Sequence, residues 1–154
     1  MNAGSGHGYT VRAMKRLLAA LCFVLAPLVA AATGETVAPA DARAIRSVIE
    51  AQIEAFRADD GPRAFGYATR GIRATFGTPE QFIHMVRTSY AVVYRPRSVA
   101  FEPPARVADE VLQPVRMTDA EGRAWLAVYP MQRGEDGGWQ INGCRLARLP
   151  GQGI

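Results

Sequence analysis

The feature that most constrains the fold is a change of hydrophobic period near the middle of the chain. Within residues 42–82 the apolar side chains recur at helical spacing, whereas from residue 98 onward they alternate as in β-strands. Helices followed by an antiparallel meander predict an α+β fold, in which three N-terminal helices pack on one face of a curved sheet. With strong curvature, helices and sheet enclose a cone that has an apolar interior.

The first predicted helix has a single apolar stripe, which indicates one buried side. Asp41 is predicted as its N-cap. The sequence Asp-Asp-Gly-Pro at 59–62 is predicted to end it, because glycine can adopt a left-handed cap conformation and proline cannot continue the helical hydrogen bonds. The stripe consists of Ile45, Val48, Ile49, Ile53 and Phe56.

Two shorter helices are predicted after this one. The second helix begins near Pro62 and turns Phe65 and Ala68 inward. Thr78 opens the third helix as the first residue of a capping box. Residues 69–77, which lie between these two helices, are predicted to form a connector. The buried side of the third helix is predicted to be Phe82, Met85 and Val86.

The C-terminal half predicts four strands, at residues 98–101, 107–117, 124–131 and 139–149. Pro114 lacks a backbone N–H, so it predicts a sheet edge or a bulge at that point. The residues expected to share one face are Val111, Gln113, Val115 and Met117 in the second strand, and Trp125, Ala127 and Tyr129 in the third.

Residues 1–32 have the layout of a secretory signal peptide. The basic sequence Met14-Lys15-Arg16 precedes an uncharged run at 17–32, which closes on small residues and predicts cleavage after Ala32. Translation is expected to start at Met14. The alternative is an uncleaved membrane anchor, although this run is shorter than the roughly 20 apolar residues that a spanning helix needs. The expected location is therefore periplasmic or secreted.

The rest of the chain is predicted to hold a flexible lead-in at 33–41, one α+β cone domain at 42–149 and a tail at 150–154. Three basic residues of the leader account for most of the net charge of +4, and the remaining chain carries only +1. This balance argues against nucleic-acid binding, which needs a concentrated basic surface. Cys144 is the only cysteine outside the leader, so no internal disulfide is expected.

Three segments carry a resemblance to a known family: IEAQIEAFRADD at 49–60, YRPRSV at 94–99 and WQINGC at 139–144. They resemble the bacterial domain-of-unknown-function 4864 family, within the nuclear-transport-factor-two-like superfamily. The resemblance implies an exported protein with a curved sheet, a cone-shaped pocket and a tendency to dimerise through the sheet face. It brings no catalytic motif, and the superfamily includes isomerases, dehydratases and hydrolases as well as non-catalytic binding domains.

Two residues outside the leader are candidates for chemistry in their own right. His84 would suit a general base at neutral pH, but an ordinary surface histidine explains it as well. Cys144 would need a nearby base to act as a nucleophile, and a small buried residue in a sheet is the simpler interpretation. No cluster of histidines or cysteines indicates a metal site.

The aromatic residues and one arginine pair complete the candidates. A tyrosine paired with a carboxylate in a desolvated cavity would indicate an isomerase, yet most carboxylates lie in predicted turns and helix ends. Arg95 and Arg97 flank a proline, and they predict either an anion clamp or a structural ion pair. The predicted ligand-binding residues are His84, Tyr90, Tyr94, Arg95, Arg97 and Trp125.

The sequence therefore predicts a non-enzymatic domain that binds a small apolar or weakly anionic ligand, or a protein partner, and forms a homodimer through its sheet. No catalytic residue, metal or cofactor is assigned, and the membrane is expected as a partner only through an uncleaved leader. One alternative is an isomerase or hydratase that uses a pocket tyrosine with a carboxylate or His84. Another is an interaction module whose core leaves no cavity.

Overall fold

The computed structural model describes residues 35–151. These residues form an α+β fold with several helices and a curled antiparallel sheet, so the predicted class is confirmed. The predicted leader at 1–32, including Met14, and the end of the predicted tail lie outside the described residues. Within 35–151, none of the helices combines the length and the apolar character that crossing a bilayer requires.

The helices of the described chain are α1 Pro39–Arg57, α2 Gly61–Gly66, α3 Arg70–Phe76, α4 Pro79–Ser89 and α5 Ala91–Tyr94. The three predicted helices correspond to α1, α2 and α4. The predicted connector at 69–77 contains α3, because the Thr69 hydroxyl accepts a hydrogen bond from Ile72 N at 3.4 Å and caps that helix. Thr78 caps α4 in the same way, accepting from Gln81 N at 3.3 Å, as predicted.

The start of α1 differs from the prediction. Pro39 occupies the first turn, where its missing N–H is not needed, and Ala38 is the N-cap in place of Asp41. Asp41 instead accepts hydrogen bonds from Arg133 and, at 3.3 Å, from Trp139 Nε1. The described part of the predicted lead-in at 33–41 contains strand β1, Glu35–Thr36, and the first turn of α1.

The other strands are β2 Ser98–Phe101, β3 Ala105–Val107, β4 Glu110–Thr118, β5 Ala124–Arg133, β6 Trp139–Ile141 and β7 Arg145–Arg148. The order β1-β3-β4-β5-β6 is antiparallel throughout, with β2 also paired to β4 and β7 also paired to β5. Strands β2 and β3 lie end to end along β4, and β6 and β7 lie end to end along β5.

Two of the predicted strands are divided in the structure. The strand expected at 107–117 is split by a tight turn at Ala108, which adopts the left-handed conformation with φ of 52°. The strand expected at 139–149 is split at residues 142–144, where Gly143 has φ of 137°. At the second break the inward-facing positions change from Ile141 to Cys144 and Leu146, so the alternation is interrupted there in a way that the residue types do not reveal.

Pro114 lies in β4, inside the sheet and not at its edge. The irregularity that it predicts is found in the neighbouring chain, where residues 102–104 leave the ladder between β2 and β3. Glu102 N donates to Pro114 O at 3.1 Å, and the Gln113 amide donates to Glu102 O at 2.6 Å. The missing N–H of Pro114 therefore leaves no ladder carbonyl unsatisfied.

The core lies between the helices and the inner face of the sheet. Val111, Val115 and Met117 of β4, and Ala127 and Tyr129 of β5, are buried on that face, as the alternation predicts. On the helical side, aromatic rings surround Phe82, with centroids 5.2 to 6.1 Å away. These rings belong to Phe56, Phe65 and Phe76.

Candidate functional site

An apolar cavity of about 240 Å³ lies between the helices and the inner face of the sheet. Helices α1, α3, α4 and α5 form one wall, and β5 and β6 form the other with the break that follows β6. Its lining consists of Gln52, Phe56, Ala68, Ile72, Phe76, Phe82, Met85, Val86, Tyr90, Val93, Tyr129, Ile141, Gly143 and Cys144.

Tyr129 supplies the most unusual polar atom of this lining. Its side chain is only 1% exposed, and its hydroxyl has no hydrogen-bond partner among the described residues. Burial raises the pKa of Tyr129 well above its ordinary value of 10.0, and the nearby Cys144 raises it further. The Cys144 thiol does not have the geometry of a hydrogen-bond partner for the Tyr129 hydroxyl. The phenol therefore stays protonated and presents an unused O–H group.

Cys144 lies in the lining beside this hydroxyl. Burial raises the pKa of its thiol to about 12, although the contact with Tyr129 works in the other direction. A thiol with such a pKa is protonated at neutral pH and is a poor nucleophile. No imidazole, Lys, Arg or carboxylate belongs to the lining that the described residues form.

The break at 142–144 explains why the cavity opens beside Tyr129. Strand β7 pairs with β5 up to Val128, and β6 pairs with it from Met131, so Tyr129 has no ladder partner on that side. Asn142 holds the break in place, because its N donates to Pro130 O at 2.8 Å and its side chain accepts from the Thr69 hydroxyl at 2.9 Å.

The same side chain joins the helical wall to the centre of the sheet. Asn142 Nδ2 donates to Glu110 Oε1 at 3.2 Å, while its oxygen contacts Thr69, the N-cap of α3. Gln52 is fixed on the opposite wall, because its amide donates to Ala64 O at 3.1 Å. Each amide therefore fixes neighbouring elements beside the cavity by hydrogen bonds to them.

The predicted ligand-binding residues do not meet in one place. Tyr90 lines the apolar cavity. Tyr94, Arg95 and Trp125 line a separate surface groove of about 440 Å³, on the other side of α5. The remaining two predicted residues lie outside the lining of the apolar cavity. Arg97 lines an open hollow near α1, and His84 lies on the exposed side of α4.

Arg95 is engaged in an ion-pair cluster around Asp59. Arg95 and Arg87 each lie 2.9 Å from the Asp59 carboxylate, and the Tyr94 hydroxyl donates to it. The hydrogen bond from Tyr94, followed by that from Arg87, lowers the pKa of Asp59 to about 2. Of the two interpretations of the arginine pair, the structure therefore contains the ion pair for Arg95.

A second carboxylate, Asp119, is buried at the turn that joins β4 to β5. It accepts from Trp125 Nε1 at 2.9 Å, from Arg123 Nε at 2.6 Å and from Arg123 N at 2.8 Å. Burial alone would raise its pKa, but the hydrogen bonds from Trp125 and Arg123 outweigh that effect and lower the pKa to about 2. The indole N–H of Trp125, a predicted ligand-binding residue, therefore donates its hydrogen bond to Asp119 in this turn.

Comparison with known proteins gives one family. The family model described as Domain of unknown function (DUF4864) matches residues 38–154. The chain belongs to the DUF4864 family. No curated protein and no solved structure matches the chain.

In this DUF4864 member, sequence reasoning missed Tyr129 as a site residue. Alternation correctly placed it on the inner face with Ala127, but the inner face of a sheet is ordinarily solid core. The signal that could have singled it out is Gly143 in the strand pattern, because an isolated glycine there indicates a bulge and a local loss of packing. Among the described residues, no group of three His, Cys, Asp or Glu side chains is placed to hold a metal.

Proposed function

We propose that this DUF4864 protein is a non-enzymatic binding protein that holds a small apolar molecule in the cavity beside Tyr129. The observation that carries the proposal is a cavity of about 240 Å³ whose lining is almost entirely apolar. An engineered apolar cavity of about 150 Å³ is large enough for benzene. The present cavity therefore has room for one ring with several further heavy atoms.

The alternative is an isomerase or hydratase that uses a pocket tyrosine. Such an enzyme needs a base within hydrogen-bond reach of the substrate. The described lining offers a tyrosine hydroxyl but no carboxylate or imidazole, and His84 lies on the exposed side of α4. Binding without catalysis is therefore the better-supported function.

We also propose that the fold is a nuclear-transport-factor-two-like cone. Two features support this assignment: the sheet curls around the helices, and the cavity lies between them. X-ray crystallography tests this finer assignment, because the chain should superimpose on members of that superfamily over the whole sheet. A flat sheet would contradict it.

The outer face of the sheet supports the proposal that the protein forms a homodimer. The pairing of β4 with β5 places Leu112 opposite Pro130 and Pro114 opposite Val128, on the face of the sheet that points away from the core. All but Pro130 remain partly exposed, and Arg116 beside them is paired with Glu102. A second copy of the chain suits such a face, because a two-fold interface brings an apolar patch against itself.

Analytical ultracentrifugation tests the dimer. We expect Val128→Arg to shift the sedimenting species from dimer to monomer, because it buries an unpaired charge at the centre of the interface. Thr88→Arg, at an exposed position of α4, is the control and leaves the dimer intact. A wild-type monomer at high concentration would refute the proposal.

Export to the periplasm or the medium is proposed from the basic and then uncharged pattern of residues 14–32. N-terminal sequencing of protein recovered from the native host tests it, with Thr33 as the expected first residue. A mature N-terminus before residue 17 would contradict cleavage.

Native mass spectrometry of the exported protein tests the binding function. We expect a retained small molecule that is lost in Met85→Trp, because the indole would fill the cavity from a half-buried lining position. His84→Trp is the matched control, since it adds the same ring at the adjacent exposed position and should keep the ligand. Equal loss in both variants, or no ligand in the wild type and no binding of added apolar probes, would contradict the proposal.

A further inference from the structure

The hydroxyl of Tyr129 narrows the chemistry of the ligand. We infer that the cavity holds an uncharged molecule that carries a hydrogen-bond acceptor on an apolar body, and that this acceptor receives the O–H of Tyr129. The inference rests on the proposed binding function. Its direct support is an O–H that is buried, belongs to a residue of the cavity lining and has no partner among the described residues.

The ligand needs a hydrogen-bond acceptor because a buried O–H group without a partner destabilises the protein. A buried donor without a partner loses the full free energy of its hydration, about 1–3 kcal/mol, and an acceptor on the ligand recovers most of that loss. Carbonyl, ether and hydroxyl oxygens can all play this part, whereas an ammonium group can only donate. The ligand therefore carries a hydrogen-bond acceptor, and a carbonyl, ether or hydroxyl oxygen is the simplest group of this kind.

The charge of the ligand is limited by the lining. None of the described lining residues is a Lys, Arg or His, so an anion in this cavity would lie in an apolar setting without a counter-charge. Desolvating an isolated carboxylate in such a setting is far more costly than desolvating a neutral oxygen. Of the two ligand types expected from the sequence, the cavity thus favours the apolar one.

The exposure of the lining also gives the orientation of the ligand. Tyr129, Phe56 and Gln52 are buried, whereas the partly exposed lining residues lie on both walls, with Met85 and Tyr90 on the helical wall and Cys144 on the sheet wall. The acceptor therefore lies deep against the sheet, and the apolar body extends toward α4. A ligand with its polar group at one end fits this arrangement.

Three probes of nearly the same shape test the inference. Acetophenone carries a carbonyl acceptor, α-methylstyrene replaces that oxygen by a methylene group, and benzoate carries a charge. Their dissociation constants are measured from the shift of the Met85 methyl signal in NMR spectra of the wild-type protein. We expect acetophenone to bind about tenfold more tightly than α-methylstyrene, and benzoate to bind more weakly than either.

Tyr129→Phe should abolish the preference for acetophenone, because it removes the O–H and keeps the ring. Tyr94→Phe is the matched control, since it makes the same chemical change at a tyrosine outside the lining and should keep the preference. Equal binding of the two neutral probes in the wild type, or tight binding of benzoate, would overturn the inference and leave the binding function standing. Failure of both neutral probes to bind would overturn the binding function as well.

Discussion

The unpartnered hydroxyl of Tyr129 makes an uncommon prediction about stability: removing it should make the protein more stable. In Tyr129→Phe the ring keeps its contacts, since only the oxygen is lost from a side chain that is 1% exposed. A buried polar group without a partner destabilises the folded state by about 1–3 kcal/mol. We therefore expect the free energy of unfolding to rise by about 1–2 kcal/mol, or the melting temperature by about 4–8 °C in a domain of this size.

Tyr94→Phe is the matched control, because it makes the same chemical change where the hydroxyl is fully used. The Tyr94 oxygen accepts from Arg87 Nε at 2.8 Å and donates to Asp59. We expect this variant to lose about 1 kcal/mol of stability, since the carboxylate loses a hydrogen bond that stabilises its charge. Opposite signs for the two variants are the signature of an unused and a used hydroxyl.

Urea unfolding followed by circular dichroism measures both variants in ligand-free protein, with the midpoint and the slope compared to the wild type. A loss of stability in Tyr129→Phe, with an unchanged slope, would refute the reasoning. It would mean that the hydroxyl has a partner in solution, such as an ordered water or the Cys144 thiol. The cavity would then be wet or closed at that end.

Two further predictions concern the turns of the sheet. The contribution of Asp119 to stability should be complete above about pH 4 and should decline as the pH falls toward 2, because folding lowers its pKa from 3.8 to about 2. Asp119→Asn should flatten this part of the urea midpoint plotted against pH, and an unchanged slope between pH 4 and 2 would contradict the assignment. Gly143→Ala should lower stability by about 1–3 kcal/mol, since φ of 137° disfavours a side chain although the space beside it is open. Gly66→Ala, in a helix with equally open space, should be neutral or stabilising in the same unfolding assay, and equal effects of the two alanines would count against backbone strain at Gly143.

The sequence predicted those parts of the fold that depend on periodicity. The stripe of α1 and the inner faces of β4 and β5 are buried as expected, because each apolar position recurs at the period of its element. Caps and breaks were less predictable. Asp41 is a good N-cap by residue type, but Pro39 starts the helix one turn earlier and frees the carboxylate for Arg133 and Trp139.

The candidate site was predicted only at Tyr90. The arginine beside Tyr94 was expected from its unusual local sequence, yet its partner Asp59 lies 36 residues away, and sequence spacing does not reveal such a pair. Tyr129 looked like a core residue because alternation assigns a face but not the packing against it. A missing hydrogen bond is a property of the folded surroundings and has no counterpart in the sequence pattern.

The break between β6 and β7 has a consequence for the solubility of the protein. These two short strands form one edge of the sheet, and a long regular edge is a template for pairing with other chains. Along β6 that edge is already occupied, since Ile141 exchanges backbone hydrogen bonds of 2.9 Å with Tyr67 and Thr69. After the bend at Gly143, the rest of this edge consists of the four residues of β7. Such a short edge strand is a poor template for pairing with another chain. The irregularity beside which the apolar cavity opens thus also shortens the sheet edge that another chain could pair with.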